Sequence, residues 1–191
     1  VFTCKNTGKV CLFTSAGQLH TIKVMDLPFG KFRDKGVPID NVSNYNSEKE
    51  SIVFITSQTE LNLRRVVFVT AQSMVKLVDG GEFDVSKRTV AATKLGEGDT
   101  VVSVIPLSEQ KSIVLQTKEG FFLKFDLEEI PEKKKAALGV RGMKLGAGDE
   151  VENVYYIQAA AASEIEYKGK KILLNHLKNA KRDGKGTKIR V

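Results

Sequence analysis

Lys94-Leu95-Gly96-Glu97-Gly98-Asp99 returns as Lys144-Leu145-Gly146-Ala147-Gly148-Asp149, 50 residues later and with five of six positions identical. The flanks keep part of the match. Val101 and Val104 fall opposite Val151 and Val154, and Val90 falls opposite Val140. Around these hexamers the pattern is β. Short runs rich in Val, Ile, Phe and Thr occupy residues 10–14, 19–24, 51–56, 65–70, 113–117 and 121–125. Each is about one strand long and is bounded by Gly, Asp, Asn or Pro. Thr14-Ser15-Ala16-Gly17 and Thr117-Lys118-Glu119-Gly120 are short glycine-containing links between apolar runs, which is how hairpins are written. Residues 172–180 alone read as a helix.

A period near fifty, with about four strand-sized runs per unit, predicts an all-β propeller-like array of about four blades. Their approximate limits are 1–60, 61–110, 111–160 and 161–191, within one domain. A four-stranded blade cannot cover both its faces, so blades must stack. Two packed sandwiches are the alternative that the same strands allow.

The 191 residues carry a net charge of +7. Residues 168–191 hold nine Lys or Arg and a single acid, Asp183, so this stretch is +8 and the remainder is −1. The excess of positive charge therefore sits at one end, which points to a polyanionic partner. No window reaches the ~18 apolar residues of a membrane span. The start lacks the basic and apolar regions of a signal peptide. It also opens mid-pattern without Met, as expected of a piece of a longer protein.

Catalytic and metal-binding signatures are weak. Cys4 and Cys11 lack zinc-site spacing and read as reduced thiols. His20 and His176 lie far apart. Asp99 and Asp149 offer one carboxylate per repeat, too few for calcium, and read as turn formers. Gly184-Lys185-Gly186-Thr187 resembles the end of a P-loop, but Asn179 stands where the first glycine is needed. Phe121, Phe122 and Phe125 read as blade core.

A longer order recurs: strand, glycine turn, strand, a Pro or acidic stretch, a basic glycine-containing segment, then an apolar strand. In the first unit it is LFTSAGQLHTIKVMDLP followed by KFRDKGVPI. In the third it is VLQTKEGFFLKFDLEEIP followed by EKKKAALGVRGMKLGAGDEV. This order resembles the C-terminal domain repeat of bacterial type IIA topoisomerase A subunits (DNA gyrase and topoisomerase IV), the β-pinwheel. The closing KNAKRDGKGTKIRV is similar to a terminal blade of that family. The resemblance implies blades that exchange strands and a basic rim that binds, bends and wraps duplex DNA without reading sequence. Gyrase also carries a basic box of the form QRRGGKG. Here residues 30–36 and 181–186 come nearest, and each contains an aspartate.

The resemblance implies DNA contact by the basic segments. These supply Arg33 and Lys35, then Lys87 and Arg88, then Lys133, Lys134, Lys135 and Arg141, then Lys181, Arg182, Lys185, Lys188 and Arg190. Lysines supply charge, and glycines let the main chain approach phosphate. Lys23, Lys76 and Lys124, in the second hairpin strands, are weaker candidates. No catalytic residue, cofactor or metal is expected in this domain; ATP and Mg2+ would be used elsewhere in the parent enzyme. Implied partners are duplex DNA, the catalytic core to which this domain is joined and, in the holoenzyme, the ATPase B subunit. The implied setting is the bacterial cytoplasm, at the nucleoid. The fragment is expected to be a monomer. A propeller scaffold that binds proteins is the alternative function.

Overall fold

The computed structural model describes residues 2–159 and 161–190. Its strands come in hairpins separated by long excursions. The first hairpin joins β1 (Lys9–Thr14) to β2 (Gln18–Lys23), and β3 (Ile52–Ser57) returns to pair with β1. A short helix, α1 (Gln58–Asn62), leads to the second hairpin, β4 (Arg65–Thr70) and β5 (Met74–Asp79). Then come β6 (Thr89–Ala91) and β7 (Val101–Pro106). The third hairpin is β8 (Gln110–Thr117) with β9 (Phe121–Asp126), followed by β10 (Val140–Arg141) and β11 (Val151–Gln158). The fourth is β12 (Glu164–Tyr167) with β13 (Lys170–Leu173), followed by β14 (Thr187–Lys188).

Pairing does not follow chain order. The sheets are β3-β1-β2-β6, β10-β5-β4-β7, β11-β8-β9-β14 and, among the described residues, the two-stranded β12-β13. In each four-stranded sheet the outer strand beside the hairpin's second strand comes from the next repeat. Val90 of β6 lies opposite Leu19, Val140 of β10 opposite Val75, and Thr187 of β14 opposite Phe122. The repeats are therefore laced together, as the resemblance implied. This is not two packed sandwiches: the second sheet is shared, with one core on its side toward the first sheet and another on its side toward the third.

The hydrophobic cores lie between blades, and the period-2 alternation of the strands explains why. In β4, Val66 and Phe68 join Cys11, Phe13 and Leu19 of the first blade, while Val67 and Val69 join Ile113, Leu115 and Leu123 of the third. In β8, Val114 turns the other way, to Ile157 and Leu174. A strand buried on both faces has to be apolar throughout, which is why residues 66–69 read as an unbroken run.

The turns of the first three hairpins share one construction. Thr70 and Thr117 are buried, and each Oγ1 accepts a hydrogen bond from the backbone N–H four residues on, at 3.0 and 3.2 Å. The residue three places after each hairpin threonine is left-handed: Gly17 at φ 72°, Ser73 at 64° and Gly120 at 86°. Ser73 is the exception in residue type, and its buried Oγ finds no partner among the described residues. Ser73→Gly removes both the steric cost of a Cβ in that region and the unsatisfied hydroxyl. It should stabilise the domain by about 1 kcal/mol after the extra chain entropy of glycine is set against the gain. A thermal melt showing no rise would mean that the turn is not strained.

The repeated hexamer closes these turns. Asp99 Oδ1 accepts from Gln72 N and Thr100 N at 2.9 and 2.8 Å, and Asp149 Oδ1 accepts from Glu119 N and Glu150 N at 3.1 and 2.9 Å. In the first blade Glu50 takes this place, since Ser15 N bonds Ser51 O as Ala71 N bonds Thr100 O. The longer carboxylate accepts from the hairpin threonine, Thr14 Oγ1, at 2.5 Å and meets His20 Nε2 at 2.7 Å.

Residues 172–180 do not form the expected helix. Ile172 belongs to β13, opposite Ile165, and a single 3-10 turn (Leu174–His176) follows. The apolar side chains there, Ile172, Leu174 and Leu177, pack on Phe122 and Val114 of the third blade, and this pairing overrides local helical preference.

Candidate nucleic-acid interface

The exchanged strands bring the basic segments of neighbouring repeats side by side. The segments of the second, third and fourth repeats each leave their own hairpin, cross to the preceding blade, and return. Lys87 and Arg88, both exposed, stand immediately before β6. Lys133–135 precede β10, and Lys181, Arg182 and Lys185 precede β14. Lys87 and Lys135 line one shallow depression together with Asp84, Val85, Ser86 and Val90. Further along, Lys144 N donates to Gly184 O at 2.8 Å, and Lys144 and Lys185 line a second depression with Glu119, Phe121, Gly146 and Asp149. Arg182 Nη1 donates to Arg141 O at 2.7 Å, linking the third and fourth segments.

Not every cation is equally available. Lys181 and Lys185 are exposed, and their side chains make no hydrogen bond or ion pair among the described residues. The same holds for Lys87 and Arg190. It holds too for Arg33 and Lys35, which lie in an exposed stretch that forms no strand, and for Lys133, which is half-buried. Others are partly engaged. Arg141 pairs with Asp183, raising the guanidinium pKa and lowering that of the carboxylate. Arg182 is held structurally: its Nε donates to Glu129 O at 3.0 Å. Lys134 pairs with Glu82, Arg88 with Asp26, and Lys188 with Glu119 at 4.0 Å. Lys135 Nζ donates to Glu82 O at 2.8 Å. Exposed pairs of this kind hold little energy and can give way to another anion.

The second-strand lysines divide. Lys23 is exposed. Lys124 is half-buried and its Nζ donates to Asn175 O at 2.8 Å. Lys76 is 1% exposed, so it is no surface contact. Its position in an apolar strand, between Val75 and Leu77, was the available clue. Two cations escaped the sequence reading. Lys94 and Lys144, the first residues of the repeated hexamers, are exposed and directly follow the exchanged strands. Their recurrence at equal spacing was the signal. Among the described residues no cluster of three or more His, Cys, Asp or Glu could hold a metal ion. No helix among them is long and apolar enough to cross a membrane.

Interleaved four-stranded blades with a cationic edge define a strand-exchanged β-propeller. The chain belongs to the DNA gyrase C-terminal domain, beta-propeller family, whose model matches residues 64–108, 111–158 and 168–190. It is the C-terminal domain of a protein of the gyrase A or topoisomerase IV type. It is 31% identical over 150 residues, 78% of this chain, to the DNA gyrase A subunit of Lawsonia intracellularis, and covers 18% of that protein. It is 28% identical to the DNA gyrase A subunit of Helicobacter pylori over 97% of its own length and 23% of the relative's. It thus spans about a fifth of these relatives. Among solved structures, the C-terminal domain of DNA topoisomerase IV superposes with a TM-score of 0.87 at 25% identity, over 96% of this chain and 59% of that one. The E. coli ParC C-terminal domain, at 16% identity and a TM-score of 0.80, shares the fold over 98% of this chain and 78% of its own.

Proposed function

We propose that this domain binds duplex DNA without reading its sequence and bends it along the rim, as part of a type II topoisomerase. The observation that carries this reading is the adjacency of basic segments from successive repeats, from Lys87 beside Lys135 to Lys144 beside Lys185. Cations placed one after another on a curved edge match a phosphate backbone, and the contacts offset the bending energy. Contacts of cations with phosphates carry no sequence information, so specificity for sequence is not expected. ATP and Mg2+ chemistry would reside elsewhere in the parent enzyme. The domain would present a DNA segment to the catalytic core of its own polypeptide, working with the ATPase B subunit in the bacterial cytoplasm.

The test is binding to a random-sequence linear duplex across a salt series. Affinity should be modest, on the order of 10⁻⁴ to 10⁻⁶ M, and should fall steeply with salt. The triple variant Lys144→Ala, Lys181→Ala, Lys185→Ala leaves the structural bonds of Arg182 in place. It should flatten the slope of log K against log salt by about 2–3, because each lost phosphate contact removes roughly 0.9. Salt-insensitive binding, or none at low salt, would sink the DNA reading in favour of a protein-binding scaffold.

A further inference from the structure

Lys76 sits in the middle of β5, 1% exposed, with its ammonium 5.5 Å from the centre of the Phe68 ring. Its Nζ donates to the carbonyl oxygens of Lys134, Lys135 and Ala137 at 3.2, 2.7 and 2.8 Å. An ammonium has three N–H donors, and here each has an acceptor. All three acceptors lie in the basic segment that the third repeat sends across to β5. Glu82 grips the same segment as well. Its carboxylate accepts from Lys135 N at 3.0 Å and pairs with Lys134 Nζ at 3.2 Å. Burial pushes the Lys76 pKa down to about 8, with Glu82 opposing the shift, so the side chain remains mostly cationic at neutral pH.

The other blades have counterparts. His20, like Lys76 the sixth residue after its hairpin threonine, places Nδ1 2.9 Å from Thr89 Oγ1 of β6. Lys124, one position further along its hairpin, donates to Asn175 O in the segment delivered by the fourth repeat. A polar side chain of the second hairpin strand thus holds the incoming chain in each of the three blades.

We infer that Lys76 is a positioning residue for DNA: it fixes the backbone of residues 134–137 from beneath, so that the charges of this basic segment face the phosphates along the rim. The inference rests on the DNA reading above. It assigns to a buried cation, which touches no ligand, control over the surface cations.

The test compares wild type with Lys76→Met, whose change lies out of reach of bound DNA, in the same duplex and salt series. Thermal melts establish that both are folded at the temperature used. Affinity should weaken by about 3- to 10-fold, the loss that one or two phosphate contacts carry across a fewfold change in salt. The salt slope should flatten with it. Adding Lys133→Ala and Lys134→Ala should then cost less than the same pair costs in wild type, because the segment is already misplaced. Glu82→Gln supplies a second arm, and serves alone if Lys76→Met does not fold. Loss of a negative charge near the rim should tighten DNA binding if electrostatics alone matter; the positioning role requires that it weaken binding. Unchanged affinity in Lys76→Met, fully independent effects, or tighter binding by Glu82→Gln would overturn the inference and leave the DNA reading intact. A wild type that shows no salt-sensitive affinity would instead remove the DNA reading, and this inference with it.

Discussion

Replacing Gly80 with alanine should lower the thermal midpoint of the domain by roughly 10 °C or more. Gly80 begins the 3-10 turn after β5 (Gly80–Phe83), where the chain passes against the end of α1. Its N–H donates to Arg64 O at 2.9 Å. A Cβ here would overlap the Leu61 carbonyl oxygen and stand 2.6 Å from that of Arg64. Both obstacles are backbone, so no side-chain rotation can relieve them. Leu61 is itself fully buried in the core between the first two blades, so α1 cannot back away without opening that core. A loss of about 4 kcal/mol or more follows, at the upper end of what single substitutions do. Calorimetry is the check. A midpoint within about 2 °C of wild type would mean that α1 is not seated as described.

Phe68→Ala should cost about 3–5 kcal/mol. Phe68 is 2% exposed and belongs to a three-ring cluster that spans the first two blades. Its ring centre lies 5.7 Å from that of Phe13 and 5.8 Å from that of Phe83, and Phe13 and Phe83 meet edge to face at 5.2 Å. Truncation removes the ring's transfer energy and leaves a cavity that strands laced to neighbours on both sides cannot close. It also takes away the aromatic face near Lys76. Phe29→Ala is the control: that ring is 98% exposed, and its removal should move stability by no more than about 0.5 kcal/mol. Equal effects from the two substitutions would contradict the inter-blade core.

The first three hairpins were legible because each writes its signal locally. A buried threonine, a left-handed residue three places on and apolar flanks all fall within a dozen residues. The closing hexamer was legible twice and missed once. In Tyr45-Asn46-Ser47-Glu48-Lys49-Glu50 both glycines and the aspartate have been replaced, and only the chain's hydrogen bonding reveals the equivalence. The exchanged strands were beyond any periodicity argument. β10 and β14 are two residues long and β6 is three, and their partners are set by a blade that lies outside their own repeat. For the interface, charge and recurrence located the basic segments, while availability depended on partners far along the chain. Asp183 for Arg141 and Glu129 for Arg182 are of this kind. Lys76 illustrates the same limit: residue type alone places a lysine in water, and three distant carbonyls place this one inside.

The lacing of one repeat into the next also sets an order in time. β2 ends at Lys23, but the strand that covers its edge, β6, ends only at Ala91. At the usual pace of ribosomal synthesis, about 5–20 residues per second, the newborn first blade waits several seconds for that strand. β5 waits in turn for β10, and β9 for β14. Translation would therefore finish the array from its N-terminal side, always one repeat in arrears. Until that strand arrives, the outer edge of the waiting hairpin strand, six residues long in β2, β5 and β9 alike, presents unpaired backbone groups to any other nascent chain nearby.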